Sequence, residues 1–188
     1  MLNRRQVLGG LVSVGTTPAL VPSLAYAQPY PGWTEIAPGI FDIGFPHLAP
    51  VSARQRCEQW CWAASIETIL GVAGYQVPQE QLVASMFGVG PDGVPSCRPA
   101  TDSEMAAAIQ RRHVDPRGRR FEARRYVAQT DGDGPSTHAW QVIISELTFR
   151  RPLLVAYRNS PTSGHAVVCT HVRVCFVDPR VGQHQILA

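Results

Sequence analysis

Cys61, His165 and Asp178 are the residues of this chain whose types and positions could do chemistry together. Cys61 opens the helical run "CWAASIETIL", and the N-terminal end of a helix stabilises negative charge, which suits a thiolate. A cysteine so placed, with a histidine distant in sequence, is a candidate nucleophile with a candidate base. Of the six histidines, His165 is the best placed. Gly164 precedes it and the apolar run "AVVCT" follows, which puts an imidazole at the start of a core strand. Asp178 closes the next apolar run, just before Pro179. If the two runs form a hairpin, the start of one lies beside the end of the other, and the carboxylate would orient the ring.

The elements that must position these residues read as follows. Apolar positions at helical spacing run from Cys61 to a stop near Gly71 to Gly74. "VPQEQLVASMFG" predicts a short second helix with Pro78 near its first turn. "TDSEMAAAIQRR" predicts a third, with Thr101 and Glu104 at capping-box spacing and Arg111 and Arg112 in the last turn. "RRFEARRYVA" alternates weakly, as an edge strand does, and "TDGDGPS" reads as a turn. "HAWQVIISEL" is helical again, capped by Ser136 or Thr137. After it come the β-branched runs "PLLVAYR", "HAVVCTHV" and "RVCFVDP", parted by turn signals at "NSPTSG" and near His171 to Arg173. Helices first and strands later indicate an α+β fold rather than alternating βαβ units.

The N-terminus predicts processing. "NRR", an uncharged stretch and "AYA" at Ala25–Ala27 have the order of an export signal, and the paired arginines suit the twin-arginine type. The expected organisation is a signal over 1–27, an extended proline-rich arm over 28–50 and one domain over 51–188. All 17 basic residues are arginine and two lie in the signal, so the remainder carries 15 against 14 acidic residues, a balance of +1. That near-neutrality does not call for a nucleic-acid or membrane partner, and the signal is too broken to make a stable membrane span. Seven arginines between 111 and 125 read as a solvated face, with steering of an anionic partner as the alternative. Export makes the five cysteines candidates for pairing: two bridges at most, with at least one thiol left over.

"QRCEQWCWAAS" and "GHAVV" followed by "DP" together resemble the active-site segments of papain-like cysteine peptidases, most closely a short bacterial group. The resemblance implies an α+β, papain-like fold, with an N-terminal helical part whose nucleophile helix packs against a C-terminal antiparallel β-sheet. It implies Cys61 as nucleophile, His165 as base and Asp178 as the orienting third member, an aspartate where papain has an asparagine. Gln55, six residues before Cys61, matches the glutamine that joins the cysteine's own amide in the oxyanion hole. Gln59 also precedes the cysteine, so this assignment rests on spacing. The implied activity is peptide-bond hydrolysis through an acyl-enzyme, by an exported monomer acting on polypeptides or peptides, with no cofactor and no metal. A Cys57–Cys97 bridge matches one often found in the family, and Cys169–Cys175 would face each other across the proposed hairpin. The same triad would serve a cell-wall peptide amidase or an acyl transferase, and an inactive, disulfide-stapled binding protein would keep only the fold.

Each residue also has a plain structural role available. Cys61 could bridge Cys57, or ligate a metal with Cys57, Cys97 and His113, although that spacing matches no common zinc pattern. His165 could be a satisfied core histidine, Asp178 a turn cap, Gln55 a surface glutamine, and Trp60 and Trp62 packing residues.

Overall fold

The computed structural model describes residues 7–11, 32–44, 52–123, 127–129, 137–158, 164–178 and 183–187, with side chains over 32–44, 52–123, 139–157 and 164–175. The fold is α+β. Strands β1 (Val7–Leu11), β2 (Trp33–Ala37) and β3 (Ile40–Gly44) precede helices α1 (Cys61–Val72), α2 (Gln79–Phe87) and α3 (Asp102–Ile109). Short strands β4 (Arg112–Val114), β5 (Arg120–Glu122) and β6 (Val127–Gln129) come next. Helix α4 (Thr137–Thr148) then leads into β7 (Leu153–Arg158), β8 (Gly164–Cys169), β9 (His171–Asp178) and β10 (Gln183–Leu187). One antiparallel sheet has the order β6-β1-β7-β8, a second has β10-β9-β3-β2, and β4 and β5 form a ribbon.

Helix α1 is the centre of the molecule. Eight of its 12 residues are buried, so it is apolar on nearly every face and needs partners on more than one side. Ile66, Ile69 and Leu70 pack with Leu82 and Val83 of α2, Met105 and Ile109 of α3, and Leu154, Ala156 and Ala166 of the first sheet. Each of the Ile, Leu, Val and Met side chains among them contributes about 1.5–3 kcal/mol by leaving water. A second cluster joins Ile43 of β3, Leu147 of α4, Leu153 of β7 and Val174 of β9. Trp33 on β2 extends it, its indole N–H donating to Thr148 Oγ1 at 2.7 Å.

The capping box of α3 is formed. The Glu104 amide donates to Thr101 Oγ1 at 3.3 Å and the Thr101 amide to Glu104 Oε2 at 2.7 Å. These hydrogen bonds from Thr101, backbone first, hold the Glu104 carboxyl below its ordinary range. The helix stops at Ile109, earlier than its apolar pattern suggests, so Arg111 and Arg112 are not in its last turn. Arg111 instead donates to the Ser85 carbonyl on α2, and Arg112 opens β4. Arg119 is also engaged: its Nε donates to Asp115 at 2.7 Å and its guanidinium lies over the Tyr75 ring. The arginine-rich segment is therefore partly a fastening of the β4–β5 ribbon onto the helical core. Its Arg124 and Arg125 lie outside the described side chains.

Three further features differ from expectation. Within the segment read as an extended arm, β2 and β3 form a hairpin through Pro38–Gly39, where Gly39 takes φ +73°. Pro-Gly is a turn pair, and its signal lay hidden in a proline-rich stretch. Residues 7–11, inside the stretch read as an export signal, form β1 between β6 and β7. Finally, β8 and β9 do not form a hairpin. Only Thr170 separates them, and the chain runs from the first sheet directly into the second, β8 pairing with β7 and β9 with β3 and β10. His171 to Arg173 contains no Gly, Pro or Asn to turn the chain, and β3 supplies β9 with a partner instead. The expected Cys169–Cys175 bridge therefore does not form: Cys169 lies opposite Leu153 in one sheet, Cys175 opposite Ile40 in the other, and both are free thiols. "TDGDGPS" and most of "NSPTSG" lie outside the described residues.

Candidate active site

Cys61 is the first residue of α1. The Trp60 amide donates to the Cys57 carbonyl and the Ala64 amide to the Trp60 carbonyl, both at 2.9 Å, so a turn over 57–60 winds directly into the helix. No side chain caps this end and no acidic residue stands in its first turn, in contrast to α3. The free N–H groups and the positive end of the helix dipole are left facing whatever negative charge arrives. The helix head is fastened through its own tryptophans to the 96–98 segment. The Trp60 indole donates to the Ser96 carbonyl at 3.1 Å and the Trp62 indole to the Arg98 carbonyl at 3.4 Å. Both are packing residues, 5% and 1% exposed.

The same 96–98 segment is bound covalently. Cys57 is disulfide-bonded to Cys97, with Cα atoms 5.9 Å apart. Cys57 is thus unable to pair with Cys61, which remains a half-buried free thiol. His113 is buried against the Phe121 ring and donates through Nε2 to the Ile109 carbonyl at 3.2 Å. Burial, chiefly, holds its imidazole below the ordinary histidine pKa. Among the described residues no group of three His, Cys, Asp or Glu side chains is arranged to hold a metal ion.

Gln55 lies on an extended segment that runs beside α1. Its Nε2 donates to the Cys57 carbonyl at 2.7 Å, which folds the amide toward the turn leading to Cys61. An amide nitrogen carries two donors, and the second makes no described hydrogen bond. The segment is anchored on both sides of Gln55, at Ala53 to Thr68 and at Arg54 and Arg56 to Gln79. Its outer side forms one wall of a cavity of about 880 Å³, shared with Glu67, Tyr75 and Pro116.

His165 is exposed, at the second position of β8. Its strand packs on α1: Ser65, one turn beyond Cys61, donates through Oγ to the carbonyl of Ala166 at 3.2 Å. Ala166, the residue after His165, is thereby held against the second turn of α1. Strand alternation sends Ala166 and Val168 into the α1 core, while His165 stands edge-on to Tyr157 of β7, with ring centroids 5.9 Å apart. No described hydrogen bond joins His165 to Cys61. Asp178 lies opposite Gln183 of β10, so the hairpin that would set it beside His165 is absent, and its side chain lies outside those described.

The remaining free thiols occupy a different environment. Cys169 borders the second cluster, and its S–H donates to the His171 carbonyl with sulfur and oxygen 3.7 Å apart. Burial pushes its pKa up, which disfavours a reactive thiolate. Sequence reasoning missed Gln79, Thr68 and Ser65, because a buried polar side chain that anchors backbone carries no local pattern, and it missed Tyr157, which only strand pairing sets beside His165. No family, curated protein or solved structure was found to match this chain.

Proposed function

We propose that this chain is an exported cysteine peptidase of papain-like fold that hydrolyses peptide bonds through an acyl-enzyme. The observation that carries the reading is Cys61: a free thiol at the uncapped head of a buried helix, beside a cysteine already committed to a disulfide. Gln55 on its anchored segment, and the packing of β8 on α1 next to His165, support it.

In this mechanism His165 takes the Cys61 proton and the thiolate attacks the carbonyl carbon of a peptide. A C–S bond forms and the carbonyl electron pair moves onto oxygen. The Cys61 amide and the second donor of Gln55 stabilise that oxyanion, each such donor supplying about 3 kcal/mol in rate. The C–N bond breaks as His165 returns its proton to the leaving amine. Water, deprotonated by His165, then cleaves the thioester and releases Cys61. The reading rests on Cys61 and His165, with Asp178 as the proposed orienting third member, its side chain lying outside those described.

A disulfide at Cys57–Cys97 suits an oxidising compartment, which fits export to the periplasm or beyond. No described helix is long and apolar enough to cross a membrane. Substrates are polypeptides or peptides, and the enzyme works as a monomer without cofactor. The test is turnover of a panel of fluorogenic peptide amides by wild type, Cys61→Ala and His165→Ala. Cys61→Ala is expected to lose about 10³-fold or more in kcat. Cleavage that survives Cys61→Ala would assign the activity to another site.

A further inference from the structure

Gln79, the first residue of α2, is fully buried at 0% exposure, although it is polar. Its hydrogen bonds explain its position. Nε2 donates to the Arg54 carbonyl at 3.0 Å and to Glu67 Oε2 at 2.7 Å, while Oε1 accepts from the Arg56 amide at 3.1 Å. One side-chain amide thus bonds the backbone carbonyl before Gln55 and the backbone N–H after it, as a neighbouring strand would. Both of its donors are used, one of them on Glu67 of α1, the helix that begins with Cys61.

A second clamp lies two residues upstream. Thr68 Oγ1 accepts from the Ala53 amide at 2.9 Å and donates to the Ala64 carbonyl at 2.8 Å. Thr68 is also on α1 and buried. The backbone around Gln55 is therefore fixed to α1 through Thr68 and to α2 through Gln79, itself bonded to Glu67 of α1, leaving little freedom in the direction from which the Gln55 side chain departs.

We propose that Gln79, assisted by Thr68, is a positioning residue that sets the Gln55 amide relative to Cys61. This rests on the peptidase reading above. An oxyanion donor acts only in the transition state, so a displaced donor costs kcat and leaves KM nearly unchanged. Displacement by about 1 Å is enough to cost up to 10²-fold.

The test is a double-mutant cycle between Gln79→Met and Gln55→Ala, read as kcat and KM on a fluorogenic peptide amide, with retained fold checked by circular dichroism. Gln79→Met alone is expected to lower kcat about 10-fold or more with KM within about twofold. In the Gln55→Ala background the same change is expected to alter kcat less than about twofold, because the donor it positions is gone. If Gln79→Met does not fold, Thr68→Val runs the same cycle. An equal loss in both backgrounds, a loss confined to KM, or no loss at all overturns the positioning role while leaving the peptidase reading intact. A wild type that cleaves no peptide amide removes the peptidase reading, and this inference with it.

Discussion

Replacing Gly44 by alanine tests the corner on which the two sheets meet. Gly44 ends β3 opposite His171, where the chain leaves β8 for β9. Its φ is +135°, a conformation that side chains rarely adopt. A Cβ built there falls 2.1 Å from the Thr170 carbonyl oxygen and 2.7 Å from the His171 Cα. Both atoms belong to backbone, so no rotamer change relieves the contact. The backbone conformation alone costs roughly 1–3 kcal/mol for a non-glycine residue. The overpacking adds roughly 1–3 kcal/mol. The total, about 2–6 kcal/mol, is a large part of the ~5–15 kcal/mol that stabilises a typical domain. With a urea slope of about 2 kcal/mol per M, the midpoint is expected to fall by about 1–3 M. Gly74→Ala is the control. That glycine has φ +83° but nothing within 4 Å of an added Cβ, so it pays only the backbone cost. Urea titrations followed by tryptophan fluorescence would compare the two. Gly44→Ala no more destabilising than Gly74→Ala would refute the corner geometry.

Two other expectations concern stability. The Cys57–Cys97 bridge joins residues 40 apart, and chain entropy for a loop of that length gives about 4 kcal/mol, so Cys57→Ser with Cys97→Ser should lower the unfolding free energy by that order in a denaturant titration. His113 has a folded-state pKa depressed chiefly by burial, so the unfolded chain binds the proton more readily. Its contribution is fully present above the unfolded histidine value of about 6.5 and is lost as pH falls toward the depressed folded value. His113→Gln, which can keep the donor to Ile109, should therefore flatten the fall in melting temperature below about pH 6.5; an unchanged slope would show that His113 does not titrate between the two states.

The helical half was legible in the sequence because its signals are local. The start of α1 at Cys61, Pro78 before α2 and the Thr101–Glu104 box each act within one or two turns. The existence of β7, β8 and β9 was legible too, from β-branched runs. Strand partnership was not, because pairing depends on which edges are open once the helices are packed. "AVVCT" and "RVCFVD" look equally ready to pair with each other, yet β7 and the unforeseen β2–β3 hairpin take them first. That single difference carried the Cys169–Cys175 bridge with it. The Cys57–Cys97 pairing was anticipated only through family resemblance, and it stands. The fastening of the Gln55 segment was invisible, because Gln79 and Thr68 act across 25 and 15 residues of chain.

The central claim is that Cys61 is a nucleophile served by His165. It is tested most directly by treating the folded, unreduced protein with a peptidyl vinyl sulfone and mapping the adduct by mass spectrometry. Three free thiols, Cys61, Cys169 and Cys175, compete for the probe. The account predicts one adduct, on Cys61, formed much more slowly in His165→Ala. Adducts spread over Cys169 and Cys175, or a Cys61 adduct indifferent to His165, would contradict it.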